Sequence, residues 1–211
     1  MKKVFLILSV LILSCLLFWG CKGQKEEAQI PKEEVSSQKN LTGKKVVMII
    51  APENFRDEEL IEPQNVLTEK GAEVKVACVS LETAKGMLGA HVKPDMLISD
   101  IKPDQWDAII LVGGTGASKY WDDPVVHSIL QEAVKQDKIV GAICIAPVTC
   151  ANAGILAGKQ ATVYESEAGK LKDKGAVYSG ASVQRDGKII TANGPSAARE
   201  FGNSIAEALK E

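Results

Sequence analysis

Short runs of Val and Ile alternate along this chain with segments of helical spacing, and that alternation restricts its fold more than any other feature. Three runs, at residues 45–50, 108–112 and 138–143, are apolar almost throughout and lack the polar–apolar alternation of a half-exposed strand. Strands of this kind are buried on both faces, as in a parallel sheet covered by helices. We therefore predict an α/β fold in which helices sandwich a doubly wound, mostly parallel sheet.

The remaining elements fit the same pattern. Asp123-Pro124 is predicted to start a helix, because Asp suits the cap and Pro the first turn, and Gly71 is predicted to end one. Residues 86–101, which Gly and Pro interrupt, are predicted to form a small hairpin excursion. Further strands are predicted at 73–80 and near Val163, Val177, Val183 and Ile189, and helices at 57–70 with a kink at Pro63, 124–136, 147–155 and 195–209.

The N-terminus has the pattern of an export signal. Lys2 and Lys3 precede 16 uncharged, mainly apolar residues at 4–19, and the chain becomes polar after Cys21. A short basic start, an apolar core and a small residue before a cleavage site are typical of a signal peptide. The apolar run is also shorter than the ~20 residues of a transmembrane helix. We predict a signal peptide at 1–20, with an uncleaved signal anchor as the alternative.

The end of this segment, Phe18-Trp19-Gly20-Cys21, resembles a bacterial lipobox. The resemblance implies cleavage after Gly20 and a lipid on Cys21, so that the protein is exported and anchored to a membrane of the cell envelope. Cys15 is a competing lipidation site. Residues 21–44 are rich in Lys, Glu, Gln and Ser, and we predict that they form a flexible polar tether.

The charge of the remaining chain excludes one class of partner. Residues 46–211 carry 17 Lys and Arg against 23 Asp and Glu, a net charge of −6. A nucleic-acid binder needs a basic stripe, which is missing from this sequence. The length suits one domain, which we place at 45–211.

Cys144 lies at a junction between a predicted strand and a predicted helix. Its neighbours at two positions on either side, Ala142 and Ala146, are small, as a nucleophile elbow requires. Pro147 suits a first helical turn, so the thiol would lie near a helix N-terminus, where the dipole favours thiolate. These residues leave open whether Cys144 is reactive or a small core residue. If it is reactive, we expect a thiol pKa well below ~8.5.

The other cysteines and the glycine-rich turn are less specific. Cys78 and Cys150 are predicted to be core residues, without a disulfide framework. Gly113 to Gly116 follow a buried strand, but Lys119 stands where a dinucleotide-binding motif needs its third Gly. Two interpretations of this glycine-rich segment remain: it directs backbone N–H groups at an oxyanion, or it is a simple tight turn.

Several blocks of the sequence together resemble the ThiJ/PfpI family. They follow one another in the family's order over nearly all of residues 45–209. The resemblance implies a flavodoxin-like fold of the class I glutamine amidotransferase type, generally a homodimer, with no cofactor and no metal. The blocks are Lys45-Val46-Val47-Met48-Ile49-Ile50 with Glu59 and Pro63 downstream, Leu111-Val112-Gly113-Gly114, Ala142-Ile143-Cys144-Ile145-Ala146-Pro147 and Gly194-Pro195.

The resemblance also implies roles for individual residues. Cys144 corresponds to the family's reactive cysteine, and Glu59 to the carboxyl group that hydrogen-bonds the thiol. The backbone amides expected to face a developing oxyanion belong to Gly114 and Ile145, and the pocket positions fall on Gly113 and Tyr164.

The function implied by the resemblance is that of a cofactor-free glyoxalase or deglycase, which acts on small dicarbonyls or their protein adducts. Cys144 would add to an aldehyde and Glu59 would transfer protons. The alternative is a redox or stress sensor in which Cys144 is oxidised without turnover. A PfpI-type peptidase is disfavoured, because Ile145 replaces the His that protease-like members carry, and neither His91 nor His127 is placed to activate the thiol.

The lipobox generates the first testable prediction. A lipid on Cys21 should appear as a diacylglycerol mass on the mature N-terminal cysteine, measured by mass spectrometry of the membrane fraction. Cys21→Ser should remove this mass and weaken membrane retention, since the lipid is the anchor. An unmodified mature N-terminus in the parent protein contradicts the assignment.

Overall fold

The computed structural model describes residues 40–211. The predicted signal peptide, both candidate lipidation sites, Cys15 and Cys21, and most of the predicted tether lie outside the described residues. Within residues 40–211, no helix has the length and apolar character needed to cross a membrane.

The described part of the chain alternates strands and helices. The helices are α1 (Asp57–Glu69), α2 (Pro124–Lys135), α3 (Pro147–Asn152), α4 (Ala168–Asp173) and α5 (Ala198–Ala208). The strands are β1 (Lys45–Ile49), β2 (Glu53–Phe55), β3 (Glu73–Cys78), β4 (Ala84–Gly86), β5 (His91–Val92), β6 (Met96–Leu97), β7 (Ala108–Leu111), β8 (Ile139–Ile143), β9 (Gln160–Ala161), β10 (Val177–Tyr178), β11 (Val183–Asp186) and β12 (Ile189–Ala192).

A seven-stranded sheet forms the centre of the fold, in the order β11-β12-β8-β7-β1-β3-β6. All neighbouring strands are parallel except β11 and β12, which are antiparallel. Small sheets of β2-β4-β5 and β9-β10 lie outside it. The predicted α/β fold with a mostly parallel sheet is therefore confirmed.

Alternate residues of the central strands enter two separate hydrophobic cores. In β1, Val47 and Ile49 belong to the core that contains residues of α2 and α3. Val46 and Met48 belong to the other core, with residues of α1 and α5. Successive side chains of a strand point to opposite faces, so this division shows helices covering both faces of the sheet.

The structure modifies several predicted boundaries. The predicted tether ends earlier than residue 44, because Leu41 is fully buried and its N–H donates to the Lys70 carbonyl (2.9 Å). Helix α3 ends at Asn152 rather than at residue 155. The predicted hairpin excursion is present as the antiparallel pair β4-β5, but β6 joins the edge of the main sheet beside β3.

Helix α1 continues through Pro63, which is buried against α5. Pro63 has no N–H to donate to the carbonyl of Glu59, four residues earlier. Gly202 of α5 allows this contact, since a Cβ atom there would lie 2.8 Å from the Pro63 Cα. Helix α1 is therefore held against α5 at the turn that follows Glu59.

Two helical Gly→Ala substitutions test this packing. Gly202→Ala should destabilise the protein by ~1–3 kcal/mol, because the added methyl meets the backbone of α1. Gly169→Ala in α4 has open space around it and should stabilise by up to ~1 kcal/mol through helix propensity. Urea unfolding measures both values. Equal effects of the two substitutions contradict the packing argument.

Candidate active site around Cys144

Cys144 sits on a strained turn between β8 and α3. Its φ angle is +64°, a left-handed conformation that costs a residue with a side chain ~1–2 kcal/mol. Two backbone hydrogen bonds hold it there: its N–H donates to the Ala192 carbonyl (2.9 Å), and its carbonyl accepts from the Tyr164 N–H (2.8 Å). Residues from β12 and from the segment after β9 thus hold the cysteine in an elbow of the predicted kind.

Two backbone N–H groups lie near the Cys144 sulfur. They belong to Gly114 and Ile145, and both lower the thiol pKa. The Tyr164 bond explains the direction of the second one, because the Cys144 carbonyl and the Ile145 N–H belong to one planar peptide. The resemblance implied the same two residues as N–H donors to an oxyanion, and in the structure their N–H groups stabilise the thiolate form of Cys144.

The Glu59 carboxyl lies against this thiol from the first turn of α1. Its side chain is fully buried, and neither carboxyl oxygen has a hydrogen-bond partner within residues 40–211. The Cys144 thiol and the Gly113 N–H lie near enough to lower its pKa without adequate hydrogen-bond geometry. A buried, unpartnered carboxyl is rare unless a site requires it.

Glycines make the contact between the two side chains possible. A Cβ atom on Gly113 would lie 2.4 Å from Glu59 Oε2 and 2.5 Å from the Cys144 Cβ, so any other residue would push them apart. Gly114, at φ +92°, and Gly116 lie equally close to the backbone of residues 53–56. The Gly113 carbonyl accepts a hydrogen bond from the Arg56 N–H (3.0 Å). The glycine-rich turn therefore joins the start of α1 to the elbow.

The acidic neighbours of Glu59 have structural partners. Asp57 accepts hydrogen bonds from the N–H groups of Leu88 (2.9 Å) and Ala90 (2.7 Å) in the β4-β5 turn. Burial opposes ionisation of Asp57, but these N–H bonds outweigh it and lower its pKa. Glu58 pairs with Arg56, with one contact at 2.8 Å. Glu59 is therefore the acidic residue of this turn that is available to the thiol.

Burial raises the pKa of both groups in the Cys144–Glu59 contact. Loss of hydration raises the pKa of Glu59 to about 7. Burial raises the pKa of Cys144 to about 11, and the charge of an ionised Glu59 adds to the rise. The prediction of a low thiol pKa from the helix N-terminus is therefore wrong. The two N–H groups lower the pKa, but burial and the nearby carboxylate raise it by more. At neutral pH a protonated thiol lies beside a partly ionised carboxyl.

Tyr164 contributes its backbone to the elbow and its ring to a neighbouring cleft. The ring is 49% exposed, so it is not a core aromatic. The cleft has a volume of about 850 Å³, and Tyr178, Asn193 and Ser196 also line it. Tyr164 therefore contacts Cys144 through the backbone hydrogen bond, and its ring lines the neighbouring cleft.

The histidines bond to backbone carbonyls, and the other cysteines are core residues. His91 contacts the Gly89 carbonyl (3.0 Å), and His127 contacts the Trp121 carbonyl (2.8 Å). Cys78 and Cys150 are fully buried and unpaired, as predicted. Among residues 40–211, no group of three or more His, Cys, Asp or Glu side chains is placed to hold a metal ion.

Trp121 was not predicted from the sequence as a site residue. Its indole N–H donates to the Ile145 carbonyl (3.2 Å), next to the elbow. The sequence feature that could have indicated its role is its position, since it is a large aromatic residue seven positions after Gly114, just past the glycine-rich turn.

The fold and the elbow define an α/β protein with a buried cysteine–glutamate pair at the carboxyl ends of parallel strands. A sequence model of the DJ-1/PfpI family matches residues 44–208. The chain therefore belongs to the DJ-1/PfpI family, as its resemblance to ThiJ/PfpI sequences implied.

Individual relatives agree with this membership. An uncharacterized protein of Methanocaldococcus jannaschii is 40% identical, over 82% of this chain and 86% of its own length. The glutathione-independent glyoxalase DJR-1.2 of Caenorhabditis elegans is 33% identical, over 79% of this chain and 89% of its own. The crystal structure of a ThiJ/PfpI domain protein from Brachyspira murdochii matches with a TM-score of 0.77 at 30% identity, over 79% of this chain and 98% of that chain. Further relatives from Pyrococcus and Thermococcus are named deglycases.

The raised pKa of Glu59 generates a prediction about stability. An unfolded Glu ionises near 4.5 and Glu59 near 7, so the folded state binds the proton more tightly and loses stability as the pH rises through this window. Between pH 5 and pH 8 the parent should therefore lose up to about 3 kcal/mol relative to Glu59→Gln. Urea unfolding at the two pH values measures this difference.

Glu69→Gln is the matched control, because it makes the same chemical change at an exposed position of α1. It should follow the parent at both pH values. A Glu59→Gln variant whose pH dependence equals that of the parent shows that Glu59 is not a destabilised buried acid.

Proposed function

We propose that this protein is a cysteine-dependent glyoxalase or deglycase that acts on small dicarbonyls or their adducts, with Cys144 as nucleophile and Glu59 as proton carrier. The observation that carries the proposal is the buried, unpartnered Glu59 carboxyl against the Cys144 thiol. A base with a pKa near 7 is matched to proton transfer at neutral pH. Relatives named glyoxalase and deglycase add support.

The first step is addition of the thiol to an aldehyde such as that of methylglyoxal. The ionised Glu59 takes the thiol proton while the sulfur bonds to the aldehyde carbon, and the carbonyl electron pair moves to oxygen. This oxygen is two bonds from the sulfur, so the N–H groups of Gly114 and Ile145, which lie near the sulfur, can stabilise its charge. Return of the proton from Glu59 to this oxygen completes a hemithioacetal.

The second step moves a proton between neighbouring carbons. Glu59, again ionised, removes the hydrogen of the former aldehyde carbon as a proton, and the electron pair shifts to the neighbouring ketone oxygen to give an enediolate. Glu59 returns this proton to the neighbouring carbon, while the hydroxyl proton of the former aldehyde carbon passes to the neighbouring oxygen, which leaves a lactoyl thioester on Cys144. Water hydrolyses the thioester, so that methylglyoxal and water together become lactate and the thiol is restored. Glu59 alternates between base and acid, which a pKa of about 7 permits.

A second candidate function is redox sensing by Cys144. Cys144 is 9% exposed, whereas Cys78 and Cys150 are completely buried. Peroxide would therefore meet Cys144 first, and oxidation would proceed from sulfenic to sulfinic acid beside the Glu59 carboxyl. A Cys–His peptidase is not supported, since both histidines bond to backbone carbonyls elsewhere.

The proposed partners are a small carbonyl substrate or modified protein, a second copy of this chain and, through Cys21, a membrane. Leu88, 61% exposed, and Met87 at the tip of the β4-β5 turn offer apolar surface to a second copy. Asp57 accepts hydrogen bonds from the N–H groups of Leu88 and Ala90, and these bonds fix the conformation of the turn that carries the apolar surface.

Lactate formation from methylglyoxal tests the proposed enzyme. The parent should produce lactate and Cys144→Ser none, because the nucleophile is removed. Glu59→Gln should lower kcat by ~10²-fold or more, the usual contribution of a general base, while Glu69→Gln keeps the parent rate. Enzymatic lactate determination measures all four proteins.

Two outcomes contradict parts of this proposal. Lactate production by Cys144→Ser excludes Cys144 as the nucleophile. No lactate from the parent favours the sensor, which mass spectrometry after mild peroxide then tests: oxidation of Cys78 or Cys150 before Cys144 rules it out.

A further inference from the structure

Trp121 makes the one side-chain hydrogen bond to the backbone of residues 144–145 within the described part of the chain. Its indole N–H donates to the Ile145 carbonyl (3.2 Å). Trp121 follows the 3₁₀ turn Thr115–Tyr120, which begins directly after Gly114. The residue therefore links the two segments that present N–H groups to the Cys144 sulfur.

Three helices hold Trp121 in place. The Trp121 carbonyl accepts from His127 Nε2 of α2 (2.8 Å) and from Asn152 Nδ2 of α3 (3.0 Å). The Lys170 ammonium of α4 lies 4.9 Å from the centre of the indole ring, which is within the range of a cation–π contact. The indole N–H is therefore fixed in direction before any substrate binds.

The elbow needs support of this kind because its backbone is strained. Cys144 at φ +64° can relieve the strain if the peptides after it rotate. The bonds to Ala192 and Tyr164 fix Cys144 itself. The bond from Trp121 fixes the next peptide, through the Ile145 carbonyl. Within residues 40–211 this carbonyl otherwise accepts only from the Val148 N–H (3.2 Å).

We infer that Trp121 is a positioning residue, whose indole N–H holds Ile145 next to the strained elbow and so keeps the Ile145 N–H beside the Cys144 sulfur. The Tyr164 bond holds the Cys144 end of the peptide that carries this N–H, and the Trp121 bond holds the Ile145 end through the following carbonyl. Without the Trp121 bond, Ile145 can shift and move its N–H away from the sulfur. The inference deepens the proposed function in that it concerns the same nucleophile. Its readout is the reactivity of the thiol, which exists whether or not the protein turns over dicarbonyls.

Trp121→Phe tests the inference, because it removes the indole N–H and keeps an aromatic ring under Lys170. Iodoacetamide should alkylate Cys144 of this variant about five- to tenfold more slowly at pH 7, the effect of one lost hydrogen bond. Its rate–pH profile should also move to higher pH. In the lactate assay, kcat should fall by a similar factor with KM unchanged. Peptide mass spectrometry restricts the measurement to Cys144.

Lys170→Met is the matched control, since it removes the cation over the ring and leaves the indole N–H in place. It should keep the parent's profile. A parent-like profile for Trp121→Phe overturns the inference, and so does an equal loss in both variants, which would assign the effect to packing of the ring.

A second variant covers a failure of Trp121→Phe to fold, detected by circular dichroism. Benzothienylalanine at position 121 replaces the N–H with sulfur in a ring of nearly the same size, and the same slowing is expected. Slower alkylation in these variants, together with a parent that makes no lactate, supports the positioning role and rejects the proposed enzyme. The two conclusions are therefore separable.

Discussion

The contact between the Glu59 carboxyl and the Cys144 thiol is the interaction on which the rest of the site depends. It brings together a helix and a strand–helix turn that are 85 positions apart in the chain, and it removes a carboxyl group completely from water. An isolated buried acid is unfavourable unless it is neutral or paired. Burial raises the pKa of Glu59, so that the carboxyl can be neutral near pH 7. The same shift allows the carboxyl to exchange protons with the thiol. Burial of the Glu59 carboxyl therefore both lowers the stability of the fold and makes the site reactive.

The surrounding backbone is organised to allow that contact. Gly113 leaves room between the two side chains, and Gly114 and Gly116 let the turn approach residues 53–56 at distances that a Cβ atom would forbid. The elbow is held in a left-handed conformation by backbone bonds to two other segments. These features cost stability locally, and the two hydrophobic cores on either side of the sheet provide the rigid support for them.

Much of the fold could be predicted from the sequence, because its central strands are continuous apolar runs and its turns carry Gly and Pro at suitable positions. The elbow was also visible in the sequence, since Ala142 and Ala146 flank Cys144. The resemblance to a family, rather than spacing, pointed to Glu59. Asp57, Glu58 and Glu62 stand beside it, and each has a hydrogen-bond or ion-pair partner, whereas Glu59 is buried without one among the described residues. The thiol pKa was predicted in the wrong direction because a helix N-terminus can be seen in a sequence, whereas desolvation and a distant carboxylate cannot. Trp121 was missed for the same reason: its bond to Ile145 depends on tertiary contacts.

Ile145 packs against both hydrophobic cores, one on each face of the sheet. Glu59 approaches the thiol from the α1 side, whereas the helices that hold Trp121 lie on the other side. The reactive geometry thus depends on the alignment of the two layers relative to each other. A small slip of either layer would separate acid, sulfur and N–H donors while every helix and strand remained intact. Heating or core mutations should therefore lower the reactivity of the Cys144 thiol before they unfold the chain. The reactivity of Cys144 thus reports on the native packing of the two layers.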